Sequence, residues 1–351
     1  MNATTNPVLV DVLRGDHVES CHRGALAVLD ASGAVRLALG DIERPIFPRS
    51  AVKLLQALPL VAAGAADAIG LDDTMLALAC ASHNGEAAHV ETAAQMLTRV
   101  GLDDAVLACG AQPPRTDAAL QALRRAGAAP GALHNNCSGK HAGFACLGCA
   151  LSGGLRGPAL AAWLDGYERP GHPLMREVDA ALQAATGWDL SRSAVGTDGC
   201  SIPAHAIPLR HLALAFARVA TGQGLSAEHA LAAARLRGAV AAAPFMVGGS
   251  ARFDTQVMQR LGARVCCKVG AEGVYCAALP ELGLGIAIKI DDGNTARAAE
   301  VALAALLQHL LVLDGDDARL LAGLADVTLH NWRGLTVGRL IAAEALRAAT
   351  G

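Results

Sequence analysis

The chain has 351 residues, a net charge of −3, 53% hydrophobic and 17% charged side chains, and only 3% aromatic ones. That balance describes a folded globule with ample core and excludes a disordered chain. With no basic run and few aromatic rings, it offers nucleic acid neither an electrostatic footprint nor a stacking platform.

The first 42 residues read as strands. PVLVDVLRG, ESCHRGALAVLD and AVRLALGD are short apolar runs separated by Gly-Asp and Ala-Ser-Gly turns. No basic segment precedes an apolar one at the N-terminus, so no signal peptide is expected and the chain reads as cytoplasmic. An alanine-rich middle follows, with helical patterning over 51–64, 73–81, 87–100, 117–126, 158–164, 174–186, 208–221 and 226–238. Strand character returns over 263–291 in ARVCCKVG, GVYCAALP and GLGIAIKID, and 295–312 reads as a further helix. Polar breaks at Gln308 and His309 make that helix a buried one, and no stretch suits a membrane span. Strands at both ends around a helical middle predict one α+β domain over residues 1–351. Its antiparallel sheet would come from about 7–45 and 262–292, covered by a helical region of about 50–240.

Of 29 Lys and Arg residues only four are lysines. Arginine stays protonated at working pH, whereas a lysine amine can become neutral and serve as base or ligand. The lysines therefore mark candidate chemistry. Lys53 follows Ser50 by three positions at a predicted helix start, where both side chains share a face and backbone N–H groups can bind an oxyanion. A neutral lysine beside a serine is a nucleophile–base pair; the plainer reading is a capping serine. Ser82, His83, Asn84 and Glu86 lie in the polar turn ASHNGE, which also reads as a simple helix stop. Lys268 falls on a strand in CCKVGAEG, where guarding a sheet edge is the plainer reading. The order Ser-x-x-Lys, Ser-x-Asn, Lys-x-Gly resembles the three motifs of serine β-lactamases and penicillin-binding proteins. Lys289, in IAIKI, has no motif around it.

Ten cysteines without a secretory signal suggest free thiols or metal ligands rather than disulfides. Cys137 in HNNCSGKHAGF and Cys200 in GTDGCSIP lie in polar, glycine-bearing loops. Thiolates bind zinc well, and Cys137 and Lys140 are spaced to reach one ion; two inert buried thiols is the alternative. Cys80, Cys109, Cys146, Cys149, Cys266, Cys267 and Cys276 sit in apolar runs and read as core.

The stretches RSAVKLLQALPLV, ASHNGE, HNNCSGKHAGF, GTDGCSIP and KVGAEGVY, spread over residues 49–275, together resemble the asparaginase II family of the rhizobial, zinc-containing Ser-Lys type. The resemblance implies a serine β-lactamase-like fold and hydrolysis of L-asparagine to L-aspartate and ammonia. It implies two catalytic pairs, Ser50 with Lys53 and Ser82 with Lys268, and a zinc ion held by Cys137, Lys140 and Cys200. A homodimer is implied as well. Charge complementarity alone adds Arg49 and Asp198 for the substrate's α-carboxylate and α-amine, with Asn84 and Glu86 as further candidates. His83, His134 and His141 are candidates to orient these groups, each with a structural hydrogen bond as its default. Two other readings stay open: a glutaminase or other amidohydrolase on the same fold, and a zinc-holding binding protein without catalysis.

Overall fold

The two halves of one long strand meet different surroundings. The computed structural model describes residues 5–350, and in it His17–Asp30 forms a single strand, β2, after β1 at Val8–Arg14. The polar first half of β2 is mostly exposed and pairs with β1; the apolar second half, from Ala25 to Leu29, is fully buried. That second half pairs with β3, Val35–Leu39, and with a strand from the far end of the chain at Leu284–Ile290. Period-two alternation fails here because the strand is covered on both faces.

The C-terminal strands β4 at Cys266–Val269, β5 at Val274–Leu279 and β6 at Leu284–Ile290 complete an antiparallel arrangement in which β6 joins β2. The expected α+β layout, one sheet drawn from both chain ends and covered by helices, is therefore present. Two further strands, β7 at Asp326–His330 and β8 at Thr336–Ala342, extend the sheet beyond β1 in the order β7-β8-β1-β2-β6-β5-β4. Their sequences, DVTLH and TVGRLIA, are short and half-exposed, so they carry little hydrophobic signal.

The helix Leu209–Thr221 packs across β2, β5 and β6. Its approach depends on Gly285, where a Cβ would stand 2.1 Å from the Ala213 carbonyl oxygen. Most helical spans match their sequence patterns, with two differences that shape the site. The run expected over 51–64 is broken into the turn Arg49–Val52 and the short helices Lys53–Gln56 and Leu58–Ala62, because Pro59 lacks the N–H that would continue the ladder. Conversely, the loop expected around Cys137 becomes the start of a helix at Ser138–Leu151 whose residues are buried from Ser138 to Cys149. A helix at Phe253–Leu261 also forms where no periodicity was read.

Candidate active site

Five separate segments converge beside the β4 edge. The first is the tight 3₁₀ turn Arg49–Val52, on which residues three apart eclipse, so Ser50 and Lys53 face the same way. Arg49 itself holds a left-handed backbone, φ 52°, a conformation uncommon for a non-glycine residue. The Lys53 amine is only 2% exposed and donates to the carbonyl oxygens of Ala81 at 2.6 Å and Asn136 at 3.2 Å. Ser50 and Lys53 both line a narrow slot of about 20 Å³, and the Ser50 hydroxyl is not hydrogen-bonded to Lys53 in this arrangement.

The second segment is the turn after the helix Asp73–Ala79, which carries Ser82; the third is β4 itself, which carries Lys268. Here the pairing is direct. Lys268 Nζ donates to Ser82 Oγ at 2.9 Å and to its neighbour's carbonyl, Val269 O, at 2.8 Å. Both side chains are buried, so Lys268 is not guarding an exposed edge. Burial brings its pKa down to about 7; the cations Lys53 and Arg252 add to this, and Asp254 opposes it.

The fourth segment, the start of the helix Ser138–Leu151, presents Cys137 and Lys140. The fifth is a hairpin of Val195–Thr197 with Pro203–His205, whose tip presents Asp198 and Cys200. Lys140 Nζ donates to Cys200 Sγ at 3.0 Å, and Cys137 Sγ donates to the Asn136 side-chain oxygen at 3.3 Å. The hydrogen bond from Cys200 holds the Cys137 thiol well below its ordinary pKa, helped by the charges of Lys53 and Lys140, while Cys200 is pushed up. Burial works against the Lys140 ammonium, but the two sulfurs outweigh it and keep its pKa raised. Among the described residues no three His, Cys, Asp or Glu side chains gather to hold a metal. Lys140 Nζ and Cys200 Sγ are in contact and Cys137 lies beside them, so the chemistry of the set, two soft sulfurs and one amine, suits zinc.

Arg49 and Asp198 meet across the slot, with Nε to Oδ2 at 3.2 Å and Nη2 to Oδ1 at 3.3 Å. Burial raises the cost of ionising Asp198, but Arg49 more than compensates and keeps its pKa low. Asn84 and Glu86 are placed elsewhere. Glu86 accepts from the backbone and hydroxyl of Ser250, and Asn84 bonds Ser250 O and Arg252, so both fasten the turn to the 250–252 loop outside the slot. The three histidines make structural bonds: His83 to Ser138 Oγ and to the Gly85 amide, His134 to the Gly131 amide, and His141 to the Tyr167 hydroxyl at 2.5 Å. Burial lowers the pKa of His83 and of His141, which keeps both rings neutral.

One group beside this centre carries no sequence signal. Asp254 is 0% exposed, and its Oδ1 accepts from the Tyr275 hydroxyl. Burial raises its pKa, and Glu300 nearby is raised to about 7 by burial and by Asp254. A single aspartate in RFDTQVM, in a segment with no visible period, is not distinguishable from a surface residue until the helix is docked.

A family model for L-asparaginase II matches residues 10–342. A search of curated protein sequences gave no match. Among solved structures, the protein Mglu in its native form aligns with 14% identity and a TM-score of 0.44, over 84% of this chain and 66% of that one, so this chain spans just under two thirds of its length. A β-lactamase from Mycobacterium bovis aligns with 15% identity and a TM-score of 0.38, over 81% of this chain and 93% of that one.

Proposed function

Because the chain belongs to the L-asparaginase II family, and is thereby an amidohydrolase, we propose that it hydrolyses the side-chain amide of L-asparagine to L-aspartate and ammonia. The observation that supports this most is the meeting of Ser50, Lys53, Ser82 and Lys268 from three distant segments next to the Arg49–Asp198 pair.

Ser50 is the nucleophile, since its hydroxyl lines the slot while Ser82 is buried. Lys53 is its base. A neutral amine has two N–H donors and one lone pair; two carbonyls stand ready for the donors, which leaves the lone pair for the serine proton. Attack on the amide carbon forms an aspartyl ester at Ser50. Ser82, with Lys268 poised near neutrality behind it, delivers a proton to the departing ammonia. Water then cleaves the ester, and the same groups return the protons. Arg49 and Asp198 exchange their mutual bond for the α-carboxylate and α-ammonium of the substrate, so no charge is left unpaired on binding. Zinc, when bound, would be held by Cys137, Lys140 and Cys200 and would supply a fixed positive charge beside the slot.

The same reading makes the protein a cytoplasmic homodimer; among the described residues no helix is long and apolar enough to cross a membrane. Ammonia release from L-asparagine and L-glutamine, each with and without a chelator, tests the reaction. Release from asparagine well above that from glutamine is expected. Release from glutamine alone, or from neither, would overturn the assignment.

A further inference from the structure

The slot lined by Ser50 and Lys53 measures about 20 Å³, which holds roughly one water and no amino acid. Most polar side chains around it already have partners. Lys53 donates to two carbonyls, Lys140 to Cys200 and Arg49 to Asp198, and His205 is bonded through Nε2 to Asp179 at 3.1 Å. The His205 Nδ1 is buried where no water reaches it. Two groups remain. Among the described residues, neither the Ser50 hydroxyl nor the Gln56 side-chain amide has a hydrogen-bond partner, and both residues line the slot.

The chain puts these two groups in line. Ser50, Lys53 and Gln56 follow one another at intervals of three, through the turn Arg49–Val52 and the helix Lys53–Gln56, so they project from one face. Gln56 is only 7% exposed, in a helix whose Leu54 and Leu55 are core. Burying an amide without a partner is unfavourable, and an apolar side chain would fill the same place without that cost. Ordered water meets buried groups of this kind, and it takes about two to four polar partners. Ser50, Lys53 and Gln56 surround one water-sized space.

We propose that Gln56 positions the hydrolytic water: its amide holds a water in the slot beside Ser50, and that water cleaves the ester formed there. This rests on Ser50 as the nucleophile of the reaction proposed above. The substrate lies outside the slot, toward an outer chamber of about 430 Å³ with which the slot shares Arg49 and Ala204. Once the proton taken from Ser50 has gone to ammonia, Lys53 is neutral again. The Gln56 carbonyl oxygen accepts one O–H of the water, and Lys53 takes the other proton. The water oxygen bonds to the ester carbon. The bond from that carbon to Ser50 Oγ then breaks, its electron pair goes to Oγ, and Oγ receives the proton from Lys53. The new carboxyl group ionises in solution.

The test compares the full-length protein with its Gln56→Met variant, which keeps the volume and loses the amide. Ammonia leaves as the ester forms and aspartate as it is cleaved, so the two products time the two steps. In Gln56→Met, ammonia should appear in a rapid burst of about one equivalent per chain. Release should then continue ~10- to 100-fold more slowly than in the unaltered protein. Acid quenching and mass spectrometry should find the aspartyl adduct on Ser50, with far-UV circular dichroism unchanged. Unaltered turnover, or slower turnover without burst and adduct, overturns the role, because a residue that only fills space does not single out the second step. If Gln56→Met does not fold, Gln56→Leu is read in the same way. If the unaltered protein releases no ammonia from asparagine, the reaction falls, and p-nitrophenyl acetate replaces the substrate as the acyl donor. Slower loss of the acetyl group from Ser50 in Gln56→Met then supports the water site. Equal loss, or no acylation of Ser50, overturns it.

Discussion

Lys53 and Lys268 are equally buried, yet their partners differ. Lys53 faces two carbonyls, and Lys268 faces a serine hydroxyl and one carbonyl. Replacing Lys53 with arginine keeps a donor for the carbonyls but removes the amine that the proposed mechanism uses as base. Lys53→Arg should therefore lower kcat for ammonia release by ~10²-fold or more, in the range of lost general-base catalysis, with far-UV circular dichroism unchanged. Wild-type turnover would remove Lys53 from the base role. Lys268, at about 7, should shape a limb of the pH–rate profile near neutrality. Asp254 favours its charged form, so Asp254→Asn lowers the Lys268 pKa further, and that limb of kcat/KM moves to lower pH. An unmoved profile would show that the buried carboxyl serves structure alone. These two residues also mark how far reading the chain reaches. Lys268 announces itself by its motif and by the scarcity of lysine; Asp254 is defined only by what is packed around it.

Cys137 and Lys140 are presented together by the start of the helix Ser138–Leu151, which is buried on all sides and sunk into the core. Its first turn is pinned through Gly139, where a Cβ would lie 2.4 Å from both the Leu78 carbonyl oxygen and Leu78 Cγ. Gly139→Ala must push the helix off the segment that carries Ser82. The expected cost is about 1–3 kcal/mol, seen as a lower Tm, with zinc content by elemental analysis falling alongside because Cys137 and Lys140 move together. Wild-type values of both would mean that Leu78 yields without moving the helix. Element boundaries here were poorly legible for a physical reason. A helix buried all round shows no amphipathic period, and glycines that permit close packing look in sequence like loop residues.

Across the whole molecule, the sheet ties the chain's two ends together, and β7 and β8 add a third strip that covers β1 from the side away from β2. A chain ending at Ala325 would leave the β1 edge unpaired. It should associate through that edge, appearing as multimers by size-exclusion chromatography and losing cooperative thermal unfolding; a monodisperse truncated protein with an unchanged Tm would show β7 and β8 to be dispensable. The strand-rich ends, the helical middle and the residue types of both Ser–Lys pairs were readable from the chain alone, because alternation, turn residues and short polar motifs are local properties. The partners of those residues were not. That Lys268 meets Ser82 across 186 positions while Asn84 and Glu86 turn away to Ser250, and that Lys140 finds Cys200, follows from how segments pack. Burial and proximity set those interactions, and neither is a property of a residue until the chain has closed around it.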